Sequence, residues 1–271
     1  MLNAFFDSAA LFELPCRGRI KAFGEDRKRL LHAMTTNHVQ QLEPGQGCYA
    51  FFLSAQGRIL SDVTIFAQSD HLLLDVEPAQ AKAVFAHLDK YIIADDVTLE
   101  DATDRQTTLA LEGPLAKDIL EAINAPIPAN DYDNAEWAGR LIVKTSYTGA
   151  PGYHIYLSPL DAPIVRETLQ DARATEASDD EIETARILHA RPLYGVDITD
   201  KNLPQETQLT HALHFTKGCY LGQEIVERVR SRGHVNKVLK RVEMPIENGT
   251  VTSSAVDPRN GKTVALAYVR P

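Results

Sequence analysis

A chain of 271 residues with 44% hydrophobic content can bury a sizeable core, as one large domain or two ordinary ones. Its formal net charge of -9 excludes a surface that coats nucleic acid or anionic membrane indiscriminately, so an anion site requires a local reversal of sign. Met1 to Pro15 hold no Lys or Arg and include Asp7, unlike a secretory signal, and no run approaches the ~20 apolar residues that cross a bilayer.

Cys16, Cys48 and Cys219 are scattered without a CxxC pair, which is neither a disulfide framework nor a zinc-ribbon spacing. The expectation is a protein of the reducing cytoplasm with no membrane partner and no metal site. Cys16, after a proline, and Cys48, in an apolar strand, are expected to be inert.

In chain order, Arg17 to Phe23 predicts a strand, and Asp26 a cap for a helix to about Met34, with Leu30, Leu31 and Met34 on one face. Thr35, Thr36 and Asn37 break that pattern. Cys48 to Ser54 and Arg58 to Ala67, separated by Gln56-Gly57, predict a hairpin, followed by a strand at Leu72 to Val76 and a helix from Pro78 to about Tyr91. Strands follow at Val97 to Leu99 and Thr107 to Leu111, then a helix opened by Pro114. A hairpin from Leu141 to Leu157 turns at Thr148 to Gly152, and a helix follows Pro159. Strands grouped in hairpins with interspersed helices favour an α+β fold with mixed or antiparallel sheet.

Asp179 or Asp180 is placed to cap a helix to about Ala190, beyond which Pro192 and Gly195 force an irregular path to Lys217. Val238 to Met244 and Thr263 to Val269 predict strands of a small β module, joined through Asn248-Gly249 and Asn260-Gly261. The expected division is a large domain over 1–235 and the module over 236–271.

The segment Lys217-Gly218-Cys219-Tyr220-Leu221-Gly222-Gln223-Glu224 concentrates the chemistry. Its glycines bracket Cys219 just ahead of a helix that Gly233 ends, where backbone N–H groups and Lys217 are expected to draw the thiol below its free pKa of about 8.5. Such a thiolate serves as a nucleophile, a redox sensor or a soft metal ligand, while a small buried hydrophobe in a glycine turn uses the same residues. Arg228, Arg230, Arg232, Lys237, Lys240 and Arg241 follow with no acid between Arg228 and Arg241. That reversal suits a carboxylate-tailed cofactor, a phosphate or RNA, and equally a solvated helix face with pairs such as Glu224 to Arg228. His189, His211, His214 and His234 have no metal-ligand spacing.

The run KGCYLGQEIVERVRSRG resembles the motif of YgfZ-type proteins, Lys-Gly-Cys-Tyr or Phe, any residue, Gly-Gln-Glu. TTNHVQQL (Thr35 to Leu42), SYTGAPGYHIYL (Ser146 to Leu157), RPLYGVDITDKNLPQE (Arg191 to Glu206) and GKTVALAYVR (Gly261 to Arg270) are similar to the wider superfamily containing the glycine-cleavage T-protein. The resemblance implies ferredoxin-like folate-binding units around a central pocket, with a short C-terminal β-barrel-like module. It implies tetrahydrofolate as cofactor and a role in maturing or maintaining iron-sulfur proteins, with an indirect link to tRNA through enzymes that thiolate it. Iron-sulfur client or assembly proteins are then the partners.

By the same resemblance Cys219 and Asp62 are the catalytic positions. Lys217, Gly218, Tyr220, Gly222, Gln223, Glu224, Tyr194, Arg230 and Arg232 belong to the cofactor site. Two departures stand out: Leu188 occupies the place of an expected glutamate before Pro and Tyr-Gly, and Ala150-Pro151 replaces the acidic pair after Thr-Gly. The alternatives are a true tetrahydrofolate-dependent aminomethyltransferase and a non-catalytic module that binds RNA or protein through the basic stretch.

Overall fold

The structure, a computed structural model, describes residues 4–14 and 17–271, so Cys16 lies outside the described residues. The chain opens with helix α1 (Ala4–Asp7), strands β1 (Ala10–Glu13) and β2 (Gly18–Phe23), and helix α2 (Arg27–Met34). Strands β3 (Gly47–Leu53), β4 (Ile59–Ala67) and β5 (His71–Val76), helix α3 (Ala81–Asp89) and strand β6 (Thr98–Asp101) follow. Next come β7 (Thr107–Glu112), α4 (Ala116–Ala122), β8 (Asn134–Trp137), β9 (Arg140–Lys144), β10 (Gly152–Leu157) and α5 (Ala162–Asp171). The remainder comprises β11 (Thr175–Glu176), α6 (Asp179–Leu188), α7 (Gln223–Arg232), β12 (Val238–Glu243), β13 (Thr250–Val256) and β14 (Thr263–Val269).

These elements form an α+β fold of two compact units. The motif unit, which holds Lys217 to Glu224, gathers Arg17–Thr103, Leu193–Leu239 and Tyr268–Pro271. Its sheet is antiparallel in the order β3-β4-β5-β2-β6. Because strand side chains alternate, Ile20, Ala22, Cys48, Ala50, Phe52, Val63, Ile65, Leu72 and Leu74 share one core cluster with Leu30, Leu31 and Met34 of α2 and Val84 and Leu88 of α3. The apolar face of α2 is the one its spacing predicts. Asp26 does not cap α2 with its side chain, because its carboxylate accepts from the Asp96 backbone N–H at 3.0 Å and from Arg29.

The companion unit gathers Met1–Cys16, Asp104–Pro192 and Lys240–Ala267. Its sheet runs β11-β1-β7-β10-β9-β8, antiparallel except for the parallel β1–β11 pair. Ile119 and Leu120 of α4 and Val165 and Leu169 of α5 join Leu109, Leu111, Ile142 and Ile155 of the strands in one cluster. Ser178, rather than Asp179 or Asp180, caps α6 through a capping box with Glu181. Arg186 of α6 is fully buried, held by Glu183, the Arg191 carbonyl at 3.0 Å and Ser253 of β13 at 2.9 Å.

The C-terminal strands correct the expected barrel-like module. They form an open sheet in the order β12-β14-β13, and three strands cannot tilt and close on themselves, so β12 and β13 remain edges. No helix among the described residues is long and apolar enough to cross a membrane.

Candidate functional site

The catalytic and cofactor positions that the resemblance implies all fall in the motif unit. The site is built where the segment from His211 to Leu221 meets the C-terminal end of α2, a place where a helix leaves four carbonyls without intrahelical partners. Leu221 N–H donates to Ala33 O at 3.1 Å and His214 N–H to Thr36 O at 3.0 Å. The Lys217 amine donates to Thr35 O at 2.6 Å and to His32 O. His32 Nε2–H donates in return to Lys217 O at 2.8 Å, while His32 Nδ1 accepts from Gln40 N–H, which fixes the tautomer.

Thr35, Thr36 and Asn37 continue the same seam. Thr36 Oγ1 donates to Ala212 O at 2.6 Å and Asn37 Nδ2 to His211 O at 2.8 Å. These residues interrupt the helical pattern in sequence because they join α2 to a segment some 176 residues away. His32, His38 and His214 stand in a row beside it, with ring centroids 4.6 and 5.1 Å apart. Burial pulls His32 and His214 below the usual imidazole range, with Lys217 adding to the effect. Among the described residues no group of His, Cys, Asp and Glu is placed to hold a metal ion.

Within this frame Cys219 is exposed and free, while Cys48 is buried in β3 with its thiol pushed up to about 12 by desolvation. The neighbours of Cys219 are anchored on either side. Tyr220 is buried with its ring 4.6 Å from Lys217 Nζ, and burial raises its phenol to about 12. Gly222, at φ 85°, is the N-cap of α7, and a Cβ there would meet Ser54 O at 2.6 Å and the Leu53 Cβ at 2.9 Å. Gly57 in the β3–β4 turn packs on Ile225 of α7, where a Cβ would come to 2.7 Å. Gln223 opens the helix, and the exposed Glu224 in its first turn suits the positive end of the dipole.

The basic stretch divides. Arg228 is exposed on α7, and Arg230 lies 4.3 Å from the Phe215 ring centroid beside Glu227 at 3.5 Å. The Arg232 side chain lies outside the described residues. Lys237 faces Tyr268 at 4.5 Å and Glu206 at 3.9 Å, while Lys240 and Arg241 belong to the companion unit. There Arg241 donates to Leu188 O.

Asp62 enters from β4, on the sheet face away from α2 and α3, where Tyr49 OH donates to its Oδ2 at 2.9 Å. Arg17, which bonds Asp75 at 2.6 Å and Glu77, lies close enough for Asp62 to act on both ends of its pair. Burial works against the Arg17 charge, but Asp75, Glu77 and Asp62 hold its pKa above the ordinary value. Burial raises the Glu77 carboxyl, opposed by Arg17 and reinforced by Asp62 and Asp75. Tyr194 is buried and donates to Leu60 O at 2.6 Å, two residues before Asp62, and its phenol rises to about 12 through desolvation, Asp200 and Asp62.

In the companion unit Leu188 is buried, and Glu112, which the sequence reading missed, organises the 146–150 loop. Its carboxylate accepts from Ser146 Oγ at 2.8 Å, the backbone N–H of Tyr147 at 2.5 Å and of Thr148 at 3.0 Å, Thr148 Oγ1, and His154 Nε2 at 2.9 Å. The loop before Ala150-Pro151 thus takes its acid from the neighbouring strand β7.

Comparison with known proteins decides the family. The family model described as "GCVT N-terminal domain" matches residues 2–217. The chain belongs to the GCVT N-terminal domain family. This GCVT-domain chain is 28% identical over 288 residues to an aminomethyltransferase of Rubrobacter xylanophilus, covering 97% of this chain and 76% of the relative. It is 27% identical to an aminomethyltransferase of Desulfitobacterium hafniense, covering 99% and 80%. The glycine cleavage system aminomethyltransferase T from Bartonella henselae shares its fold, with a TM-score of 0.84 at 22% identity, over 97% of this chain and 78% of that one. The family match ends at Lys217, so Cys219 lies just beyond the matched residues.

Proposed function

We propose that this chain is a YgfZ-type folate-binding protein that supports the maturation or maintenance of iron-sulfur proteins, including enzymes that thiolate tRNA, through Cys219. The supporting observation is an exposed thiol between anchored neighbours, inside a run from Lys217 to Glu224 that resembles the YgfZ motif. A sulfur reachable from solvent on a well-held loop is placed for nucleophilic or redox chemistry with a client. Iron-sulfur client or assembly proteins are the partners on this reading.

Asp62 fits a folate ligand by its chemistry: the Tyr49 hydroxyl orients its carboxylate, and a carboxylate accepts from a ring or amine N–H. Tetrahydrofolate, when bound, supplies amine nitrogens that carry a one-carbon unit. Asp62 accepts from such a nitrogen, Tyr49 holds Asp62 in one rotamer, and Tyr194 fixes the strand beneath it through Leu60. Gly218, Tyr220, Gly222, Gln223, Glu224, Arg230 and Arg232 are the remaining residues we assign to the cofactor, the two arginines for its carboxylate tail.

A second reading, aminomethyl transfer to tetrahydrofolate, is favoured by the relatives named aminomethyltransferase. One pair of assays separates the two. In cells lacking the chromosomal copy, Cys219→Ser is expected to lower iron-sulfur enzyme activity by about tenfold or more. Retained activity in Cys219→Ser cells, together with methylene transfer by the pure protein in glycine-cleavage reconstitution, overturns the first reading in favour of the second.

A further inference from the structure

The sequence treats Lys217 as a charge beside Cys219, yet its amine is buried and turned to the end of α2. We propose that Lys217 is a positioning residue for Cys219: its amine, donating to His32 O and Thr35 O, holds the loop from Lys217 to Leu221 on the open end of helix α2 and so fixes where the sulfur is presented. The proposal rests on the reading of Cys219 as the functional residue.

The tie is reciprocal. Lys217 reaches out by its side chain to His32 O, and His32 reaches back by its ring to Lys217 O at 2.8 Å. Two residues beyond Cys219, Leu221 N–H closes on Ala33 O at 3.1 Å. Cys219 therefore sits on a short span with one carbonyl seam gripping it from both sides, and the Tyr220 ring at 4.6 Å covers the amine. Removing the amine strands two helix-end carbonyls that the closed loop keeps from water, and the loop must open to hydrate them.

A residue that only filled space would leave no mark on the pH dependence of this loop. Burial pulls Lys217 to about 8 from its ordinary 10.5 against a smaller opposing contribution from Cys48. An opened loop returns Lys217 to the ordinary value, so between 8 and 10.5 the closed form alone has shed its proton, and rising pH favours closure. The neutral amine still donates to both carbonyls. The other groups around it are His32, His38 and His214, Cys48 of β3, and Tyr220. Burial holds His32 and His214 low and puts Cys48 and Tyr220 at about 12, outside that window.

The test is amide hydrogen exchange at Leu221, read in the full chain carrying Cys219→Ser so that the loop holds no thiol. Its protection factor is expected to rise more than about tenfold between pH 8 and pH 10, and a flat or falling profile overturns the proposal. Lys217→Met, close in volume, is expected to lower that protection by about tenfold at pH 7 while the global unfolding midpoint holds. Unchanged Leu221 protection in that variant, or a fall no larger than the global loss, overturns it as well. If Lys217→Met does not fold, the pH profile of the Lys217 protein decides alone. The exchange readout concerns loop closure only, so it fails separately from the assignment of function to Cys219, which the Cys219→Ser cell assay reads.

Discussion

Glu112 shows how much one buried acid can organise. Burial opposes its ionisation, yet donors from His154, Thr148 and the Tyr147 backbone hold its carboxyl below the ordinary carboxylate range. A depressed folded pKa means that its stabilisation is fully present above the unfolded value of 4.5 and is lost as pH falls through the folded one. Glu112→Gln keeps the shape but sets an amide against the five donors, and we expect a loss of about 3 kcal/mol in urea unfolding at neutral pH. Because the variant has no carboxyl to protonate, its stability is expected to fall less steeply than that of the parent between pH 5 and pH 3. Parallel curves over that range would show that the carboxylate contributes nothing through its charge. In sequence Glu112 ends an alternating apolar strand and passes for an exposed terminus. Its partners lie more than thirty residues on, so local pattern carries no sign of them.

At the scale of elements, the two motif glycines have unequal roles. Gly218 and Gly222 both have positive φ, at 97° and 85°, but a Cβ at Gly218 meets nothing within 4 Å whereas one at Gly222 strikes the end of β3. Alanine at Gly218 is expected to cost about 1 kcal/mol of backbone strain, and at Gly222 about 1 to 3 kcal/mol more, because helix α7 must back away from Leu53 and Ser54. Equal losses in denaturant unfolding would show that α7 has room to shift. The strands of the motif unit were legible because β3 and β5 are short apolar runs, β4 alternates over its first half, and the Gln56-Gly57 turn separates β3 from β4. The strand β13 was not, since Thr250 to Val256 is polar and largely exposed and has no apolar face to reveal a period. The Cys219 loop was legible as a motif, but the seam that carries it depends on hydrogen bonds between Thr35 to Asn37 and a distant segment, and long-range pairing leaves no local trace.

At the scale of the whole molecule, neither compact unit is one continuous stretch of chain, and the C-terminal strands serve both. β12 starts in the motif unit at Val238 and Leu239 and continues in the companion unit from Lys240. β14 begins in the companion unit and ends in the motif unit with Tyr268. Tyr268 OH donates to Asp197 O at 3.0 Å in the motif unit, while Ser253 of β13 bonds the buried Arg186 and Arg241 bonds Leu188 O in the companion unit. A chain ending at residue 235, the boundary expected from sequence, loses all of these together with the buried Val264, Leu266 and Tyr268. Such a fragment is expected to melt at least about 10 °C below the full chain, with a broadened transition in circular dichroism. A sharp transition at the full-length temperature would establish residues 236–271 as a separable module. The breadth of the transition matters because removing strands that serve both units weakens each of them, whereas removing an appendage leaves the cooperative unfolding of the rest intact.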